Sequence, residues 1–267
     1  IPQLRAYLTS AWQIIKAIKY RFKRKGKATQ AREVKVKLLD DVEHDWKEMI
    51  FHMDRWNGKQ KILKTEWEEI PEEGYSIKNQ TIAPASDASG SWGWGAVCQE
   101  GYAFGKWSQR EKGLLIHIKE GLGVFALVAL FGKELSRKKI KLTLRCDNKG
   151  ITSALKKGRA KEMDMAIIVR LIMEAMIRAG IMLQIWKTGK QKVARVEYIS
   201  SKNNALADAL SRDGWEDFEK ITNNISSFKK TRRKLCGEDE KRWKNAVDKI
   251  IENMDMRGTL GKQRRQE

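Results

Sequence analysis

The feature that most constrains the fold of this chain is an alternation of strand-like and helix-like hydrophobic patterns between residues 81 and 211. Apolar residues alternate along the strand segments and recur every three to four residues along the helical ones. Predicted strands cover 81–86, 92–97, 102–107 and 139–146, with further candidates at 181–186 and 193–199, and predicted helices cover 116–131, 148–157, 163–179 and 203–211. This order predicts an α/β fold with a mixed five-stranded sheet flanked by helices.

Helical patterns also flank the α/β region. Apolar periodicity predicts amphipathic helices over 4–25, 40–56 and 243–254. Pro71 and Gly74 indicate a linker over 70–80, and 257–267 are expected to form a frayed basic tail. We therefore divide the chain into an N-terminal extension over 1–76, a central domain over 77–213 and a C-terminal extension over 214–267.

The charge of the chain points to a polyanionic partner. The net charge is +20 and the isoelectric point is about 9.8. Nucleic acid is the first candidate partner and an anionic membrane surface the second. The sequence has no apolar stretch long enough to span a bilayer. The basic end of the 4–25 helix predicts a phosphate-facing surface, with an ordinary solvated face as the alternative; its cations include Lys19, Lys23, Arg24 and Lys25.

The cysteines and the first residue bear on the setting of the chain. Cys98, Cys146 and Cys236 have no paired spacing, which disfavours a disulfide framework or a zinc site and favours thiols in a reducing compartment. We expect an intracellular location and leave nucleus, cytoplasm and mitochondrion open. Because the chain begins with Ile1, we also expect a processed product or a fragment of something longer.

Four acidic residues stand at positions suited to chemistry. Asp87 lies in SDASGSWGWGAV and Asp147 in LRCDN, both at the ends of predicted strands. Glu120 lies in IHIKEGLGV and Asp208 in NNALADALSR, both on predicted helices. The sequence has 34 acidic residues, so these four are singled out by their local contexts rather than by their type.

These motifs, in this order over residues 82–213, resemble the ribonuclease H domain of retroelement reverse transcriptases of the DIRS-like and Ty3-like kinds. The segment Asn204–Arg212 carries the most specific part of the resemblance. It implies a ribonuclease H-like fold and an enzyme that cleaves the RNA strand of an RNA–DNA hybrid. Residues 4–25 and 38–60 resemble remnants of the polymerase thumb and connection. The carboxylate motif of a polymerase is missing from the sequence, so DNA synthesis by this chain alone is excluded.

The resemblance also implies two magnesium ions, which manganese can replace, held by Asp87, Glu120, Asp147 and Asp208. Two divalent ions about 4 Å apart activate a water and stabilise the leaving oxygen in phosphodiester hydrolysis. Magnesium prefers hard oxygen ligands, which carboxylates supply. Asp87 is expected to bridge the ions. Four carboxylates packed together repel each other unless cations lie between them.

Other residues are predicted to contact the nucleic acid. Backbone amides of the turn that contains Ser89 and Gly90, with Asn148 and Asn204, are candidate partners of RNA 2′-hydroxyls. The resemblance implies that a basic segment grips the DNA strand, and an ordinary solvated loop is the alternative; its residues are Lys156, Lys157, Arg159 and Lys161.

Three aromatic residues need a separate interpretation. Trp92 and Trp94 alternate with glycines on a predicted hairpin, so core packing is expected, with base stacking as the alternative. Tyr198 stands where many relatives carry a histidine, ten residues before the final aspartate. Since tyrosine titrates near 10, slower turnover is expected rather than loss of activity.

A binding module is the rival interpretation. A host could retain such a domain as a structural RNA-binding subunit of a ribonucleoprotein, such as an organellar ribosome, contacting other proteins through its basic extensions. The complete set of carboxylates favours the enzyme. The sequence leaves the oligomeric state open.

Overall fold

The computed structural model describes residues 74–137, 142–181 and 194–263, together with six residues of the predicted 40–56 helix. Those six are helical; they are Glu43, Trp46, Lys47, Met49, Ile50 and Phe51. The predicted 4–25 helix, with Lys19, Lys23, Arg24 and Lys25, lies outside the described residues. So does the strand candidate 181–186 beyond Ile181.

Eight strands and seven α-helices make up the described ranges. The strands are β1 (Tyr75–Ser76), β2 (Thr81–Ile82), β3 (Ala85–Ala88), β4 (Gly93–Cys98), β5 (Gly101–Lys106), β6 (Leu142–Cys146), β7 (Ala194–Tyr198) and β8 (Arg232–Arg233). The helices are α1 (Gln109–Lys112), α2 (Ile116–Arg137), α3 (Lys149–Lys157), α4 (Met163–Ala179), α5 (Ala205–Ser211), α6 (Trp215–Thr222) and α7 (Gly237–Gln263). A 3₁₀ turn, Ser201–Asn203, precedes α5.

The main sheet is mixed, as predicted, and its strand order is β7-β6-β3-β4-β5-β8. Strands β3, β4 and β5 form an antiparallel meander. Strand β6 pairs with β3 in parallel, and β7 pairs with β6 in parallel. The carboxyl ends of these three parallel strands therefore lie at one edge, which we call the carboxyl edge.

The predicted count of five strands is wrong, because β8 adds a sixth strand parallel to β5. Two residues are too few to show the alternation that identifies a strand in a sequence. The predicted strand over 81–86 is also divided into β2 and β3. Pro84 lies between them and lacks the N–H that a ladder needs, while its carbonyl accepts a hydrogen bond from the Arg145 amide.

Two apolar clusters cover the two faces of the sheet. On one face α2 packs against α4, and α7 adds Trp243, whose ring lies 5.6 Å from that of Trp94 between centroids. The prediction that 116–131 is a buried helix is confirmed, and the helix continues to Arg137. On the other face α5 and α6 cover Val97 with Leu210 and Phe218.

The C-terminal part differs from the expectation in two ways. The predicted 243–254 helix is present, but it continues to Gln263, so the expected frayed tail from 257 is wrong over those residues. Helix α6, which the sequence interpretation missed, begins directly after Gly214. Both helices pack on the sheet, which makes the C-terminal segment part of its two apolar clusters.

A glycine on β4 allows α5 to approach the sheet. A Cβ atom on Gly95 would lie 2.5 Å from the carbonyl oxygen of Ala207 and 2.6 Å from Cβ of Leu210. Gly95→Ala is therefore expected to lower the free energy of unfolding by about 1–3 kcal/mol, since α5 has to move. Gly90→Ala is the control because a Cβ there meets no atom within 4 Å. Equal urea midpoints for the two variants would contradict this packing.

Candidate active site

Asp87 lies near the end of β3 and is almost fully buried, at 2 % exposure. The hydroxyl of Ser211, on α5, donates a hydrogen bond of 2.5 Å to its Oδ2 atom. Gly123, on α2, lies against the Asp87 carbonyl, and its added Cβ would be 3.3 Å from that oxygen. Asp87 therefore sits where helices from both faces meet the sheet.

Asp147 lies beside Asp87 because of the register between their strands. Ser86 pairs with Cys146 across β3 and β6, so the two aspartates are the next residues along neighbouring parallel strands. Asp147 is half-buried, and its Oδ2 atom accepts a hydrogen bond of 2.5 Å from the Ser201 hydroxyl. Both aspartates stand at the carboxyl edge.

The other two carboxylates come from helices. Glu120, in the first turns of α2, is 5 % exposed, and the Cys146 thiol lies 3.7 Å from its Oε2 atom. Asp208, on α5, accepts a hydrogen bond of 2.6 Å at Oδ1 from Nε of Arg212, one turn later. Strand ends supply two acids and helices the other two, as the sequence predicted.

The pKa values show that the four acids interact. Burial, followed by the negative charges of Asp208 and Asp147, raises the pKa of Asp87 from 3.8 to about 6, although the Ser211 hydrogen bond lowers it. Burial, followed by the charges of Asp87 and Asp147, raises the pKa of Glu120 from 4.5 to about 9. Since Asp87 interacts with Asp208 and Asp147, and Glu120 interacts with Asp87 and Asp147, we treat the four carboxylates as one cluster, the acid cluster.

Protein donors occupy one oxygen of each acid: Ser211 on Asp87, Cys146 on Glu120, Ser201 on Asp147 and Arg212 on Asp208. In this arrangement no three His, Cys, Asp or Glu side chains, within the described ranges, are placed to hold a metal ion together. The donor chemistry nevertheless fits magnesium, because all four acids offer hard oxygens. A divalent cation would also offset the repulsion that raises the pKa values of Asp87 and Glu120.

The turn predicted to contact RNA is held by its own hydrogen bonds. The Ser89 hydroxyl donates to the Gly93 carbonyl and accepts from the amides of Trp92 and Gly93. Gly90 is exposed, and its carbonyl accepts a hydrogen bond of 2.5 Å from Nζ of the buried Lys119. The backbone of this turn is thus positioned next to Asp87, while the Ser89 side chain is already engaged.

The two predicted asparagines have local roles. Asn148 caps α3, since its Oδ1 atom accepts from the amides of Gly150 and Ile151. Asn204 is buried and donates a hydrogen bond of 3.1 Å to the Ser86 carbonyl, which fastens the start of α5 to β3. Neither observation tests contact with RNA; Asn148 is half-buried and is the more accessible of the two.

The predicted basic and aromatic residues are divided between surface and core. Lys156, Lys157, Arg159 and Lys161 are all exposed. Trp94 is buried, which confirms core packing, whereas Trp92 is only half-buried. Tyr198 is 45 % exposed at the end of β7, and Nζ of Lys149 lies 5.0 Å from the centre of its ring.

The sequence interpretation did not single out Ser211, Ser201, Arg212 and Lys119. The sequence contained a signal for Ser211 and Arg212. They lie three and four positions after Asp208 and therefore share its helix face. Ser201 and Lys119 act on residues far away in sequence, and no local spacing reveals them. Lys119 joins Gly90 to the Lys112 carbonyl, and burial lowers its pKa.

Comparison with protein-family models, curated proteins and solved structures found no match. Within the described ranges, none of the helices combines the length and the apolar character needed to cross a membrane.

Proposed function

We propose that this chain is a ribonuclease H-type endonuclease with a ribonuclease H-like fold, which hydrolyses the RNA strand of RNA–DNA hybrids. The observation that carries the proposal is the acid cluster at the carboxyl edge. The element order supports it, since β3, β4, β5, α2, β6, α3, α4, β7 and α5 follow the order on which the sequence resemblance rests.

The side chains of the acid cluster would hold two magnesium ions. When bound, such ions supply an activated water and stabilise charge on the leaving oxygen. Ser211 fixes the orientation of Asp87, and Ser201 fixes that of Asp147. Arg212 engages Oδ1 of Asp208, so Oδ2 is the atom of that carboxylate that would serve as a ligand. The backbone of the Gly90 turn and Asn148 would contact RNA 2′-hydroxyls beside the site.

The experiment that tests this function incubates the full chain with magnesium and an end-labelled RNA–DNA hybrid. Cleavage of the RNA strand is expected, while double-stranded DNA and single-stranded RNA of the same sequence remain intact. Manganese is expected to replace magnesium. A chain that binds the hybrid and leaves it uncut at every metal concentration would overturn the proposal.

A second candidate function is a structural RNA-binding subunit of a ribonucleoprotein. Two observations favour it: the acids make no ready-made metal site among the described residues, and the raised pKa keeps Glu120 protonated at neutral pH. Binding would then depend on the exposed basic segment at the end of α3 and just after it rather than on the acid cluster. This function predicts RNA binding that does not depend on a divalent metal.

The basic segment is expected to contact phosphates under either function. Replacing Lys156 and Lys157 by alanine should lower the slope of log affinity against log salt by roughly 0.9 for each duplex phosphate that the variant no longer neutralises. Lys220 and Lys241 are exposed lysines elsewhere on the surface, and their double alanine variant is the control. Identical salt slopes for the two variants would show that the segment is a solvated loop.

A further inference from the structure

A small pocket lies on the α5 face of the sheet, next to the acid cluster. Its volume is about 90 Å³, and its lining consists of Trp92, Phe104, Ala209, Leu210, Asp213 and Trp215. We call it the aromatic pocket. Helix α5 connects it to the acid cluster, because Asp208 and Ser211 serve the cluster while Ala209 and Leu210 line the pocket.

Three aromatic rings remain accessible around this pocket. Trp215 is 38 % exposed, and Trp92 and Phe104 are half-buried. The Phe104 ring lies 6.2 Å from that of Trp92 and 6.1 Å from that of Trp215 between centroids. Core packing explains the position of Trp94, which is buried, but it does not explain that of Trp92. A cavity of this size admits one planar ring with its remainder in solvent, and it is too small for a helix.

Cations lie over two of these rings. Nζ of Lys106 is 5.4 Å from the centre of the Trp92 ring, and the guanidinium carbon of Arg232 is 4.0 Å from that of Phe104. Both side chains are exposed. Aromatic rings beside surface cations are the combination that single-stranded nucleic acids use, with bases stacked on the rings and phosphates near the cations. An apolar peptide has no anionic group that could pair with these two cations.

Asp213 adds a polar group with an unusual backbone. Its φ is +67°, a left-handed conformation that favours glycine, at the position directly after α5 and its C-cap Arg212. A carboxylate at a helix C-terminus also faces the negative end of the helix dipole. The other non-glycine residue with positive φ, Gln80, is held by hydrogen bonds to Asn224 and Ser226. The described part of the chain provides no hydrogen bond or ion pair for the Asp213 carboxylate.

We propose that the aromatic pocket binds one unpaired nucleobase of a single-stranded nucleic acid, stacked against Trp92 and Trp215. Asp213 makes guanine the favoured base. A carboxylate accepts hydrogen bonds only, and guanine presents two adjacent donors, N1–H and N2–H, on its pairing edge. Adenine and cytosine each present one amino group there, and uracil one N–H. The pocket binds a base whether or not the chain cleaves a hybrid.

The test measures affinity of the full chain for fluorescently labelled oligouridines that carry a single central guanine, adenine, cytosine or uracil. RNA and DNA versions are compared at one fixed ionic strength in EDTA, which prevents any metal-dependent cleavage. We expect the guanine oligonucleotide to bind about 5- to 100-fold more tightly than the uracil one. Equal affinity for the RNA and DNA versions would show that the pocket recognises the base. Tighter binding of the RNA version would show that the pocket also contacts the sugar.

Two variants test the ring and the carboxylate separately. Trp215→Leu, which keeps an apolar side chain, should weaken binding of all the oligonucleotides about 5- to 100-fold, whereas Trp215→Phe should retain most of the affinity. Asp213→Asn should remove the guanine preference and leave uracil binding unchanged. Leu115→Ala and Asp217→Asn are the controls, since both residues are exposed and lie outside the pocket.

Thermal unfolding of each variant separates impaired binding from impaired folding, and Asp213→Asn carries the test if Trp215→Leu does not fold. The proposal is overturned if Trp215→Leu folds and binds like the wild type, or if the guanine preference is missing or survives Asp213→Asn.

Discussion

Asp147→Asn is expected to abolish cleavage of the RNA strand in a hybrid and to leave the fold intact. The amide has the shape of the carboxylate and can still accept the Ser201 hydrogen bond at one atom. It lacks the negative charge that holds a divalent cation. Mutation of a residue that hydrogen-bonds to a metal ligand lowers activity about 10- to 100-fold. Mutation of the ligand itself should therefore lower activity more than roughly 100-fold. The rate is measured on an end-labelled hybrid in magnesium.

Asp217→Asn is the matched control, since it makes the same chemical change at an exposed position on α6. Its cleavage rate should equal that of the wild type. Ser201→Ala is expected to lower the rate by a smaller factor, because it removes only the group that orients Asp147. If Asp147→Asn cleaves as fast as Asp217→Asn, the acid cluster is not a metal-dependent site, and the structural subunit becomes the better proposal.

Glu120→Gln is expected to stabilise the metal-free protein at mildly alkaline pH. Burial and the charges of Asp87 and Asp147 raise the pKa of Glu120 from 4.5 to about 9. Between these values the folded state holds a proton that the unfolded state releases, so the free energy of unfolding falls as pH rises across this window. Glutamine cannot ionise and removes this contribution, which is on the order of a few kcal/mol near pH 9.

Urea unfolding in EDTA across this pH range measures the effect. Glu216→Gln, at an exposed position on α6, should follow the wild-type curve. Below about pH 4 the Glu120→Gln variant and the wild type should converge, because the pH is then below both pKa values and Glu120 is protonated in most folded and most unfolded molecules. Magnesium should stabilise the wild type more than Glu120→Gln. A wild-type curve without this decline would show that Glu120 ionises normally.

Long elements with a regular pattern were predictable from the sequence. The predicted helix over 163–179 has the observed bounds of α4, and the strand predicted over 92–97 differs from β4 by one residue at each end. In both segments the apolar residues recur with the spacing that is typical of a helix or a strand. Helix α6 is only eight residues long, with Phe218 and Thr222 buried among charged residues, and so short a segment was missed.

The acid cluster was predictable in its members but not in its contacts. The sequence indicated Asp87, Glu120, Asp147 and Asp208 through their local motifs. It could not indicate that Asn204 fastens α5 to β3, since this contact joins residues 118 positions apart. It also could not indicate the aromatic pocket, because Trp92, Phe104 and Trp215 meet only after α6 has packed beside the meander.

The position of Trp243 has a consequence for synthesis of the chain on the ribosome. This side chain, on α7, covers Trp94, Trp107 and Phe125, all of which are translated more than one hundred residues earlier. Translation proceeds at about 5–20 residues per second, so α7 leaves the exit tunnel on the order of ten seconds after the meander and α2. During that interval their aromatic face is bare, so a nascent chain stalled before residue 243 should be a preferred client of ribosome-associated chaperones.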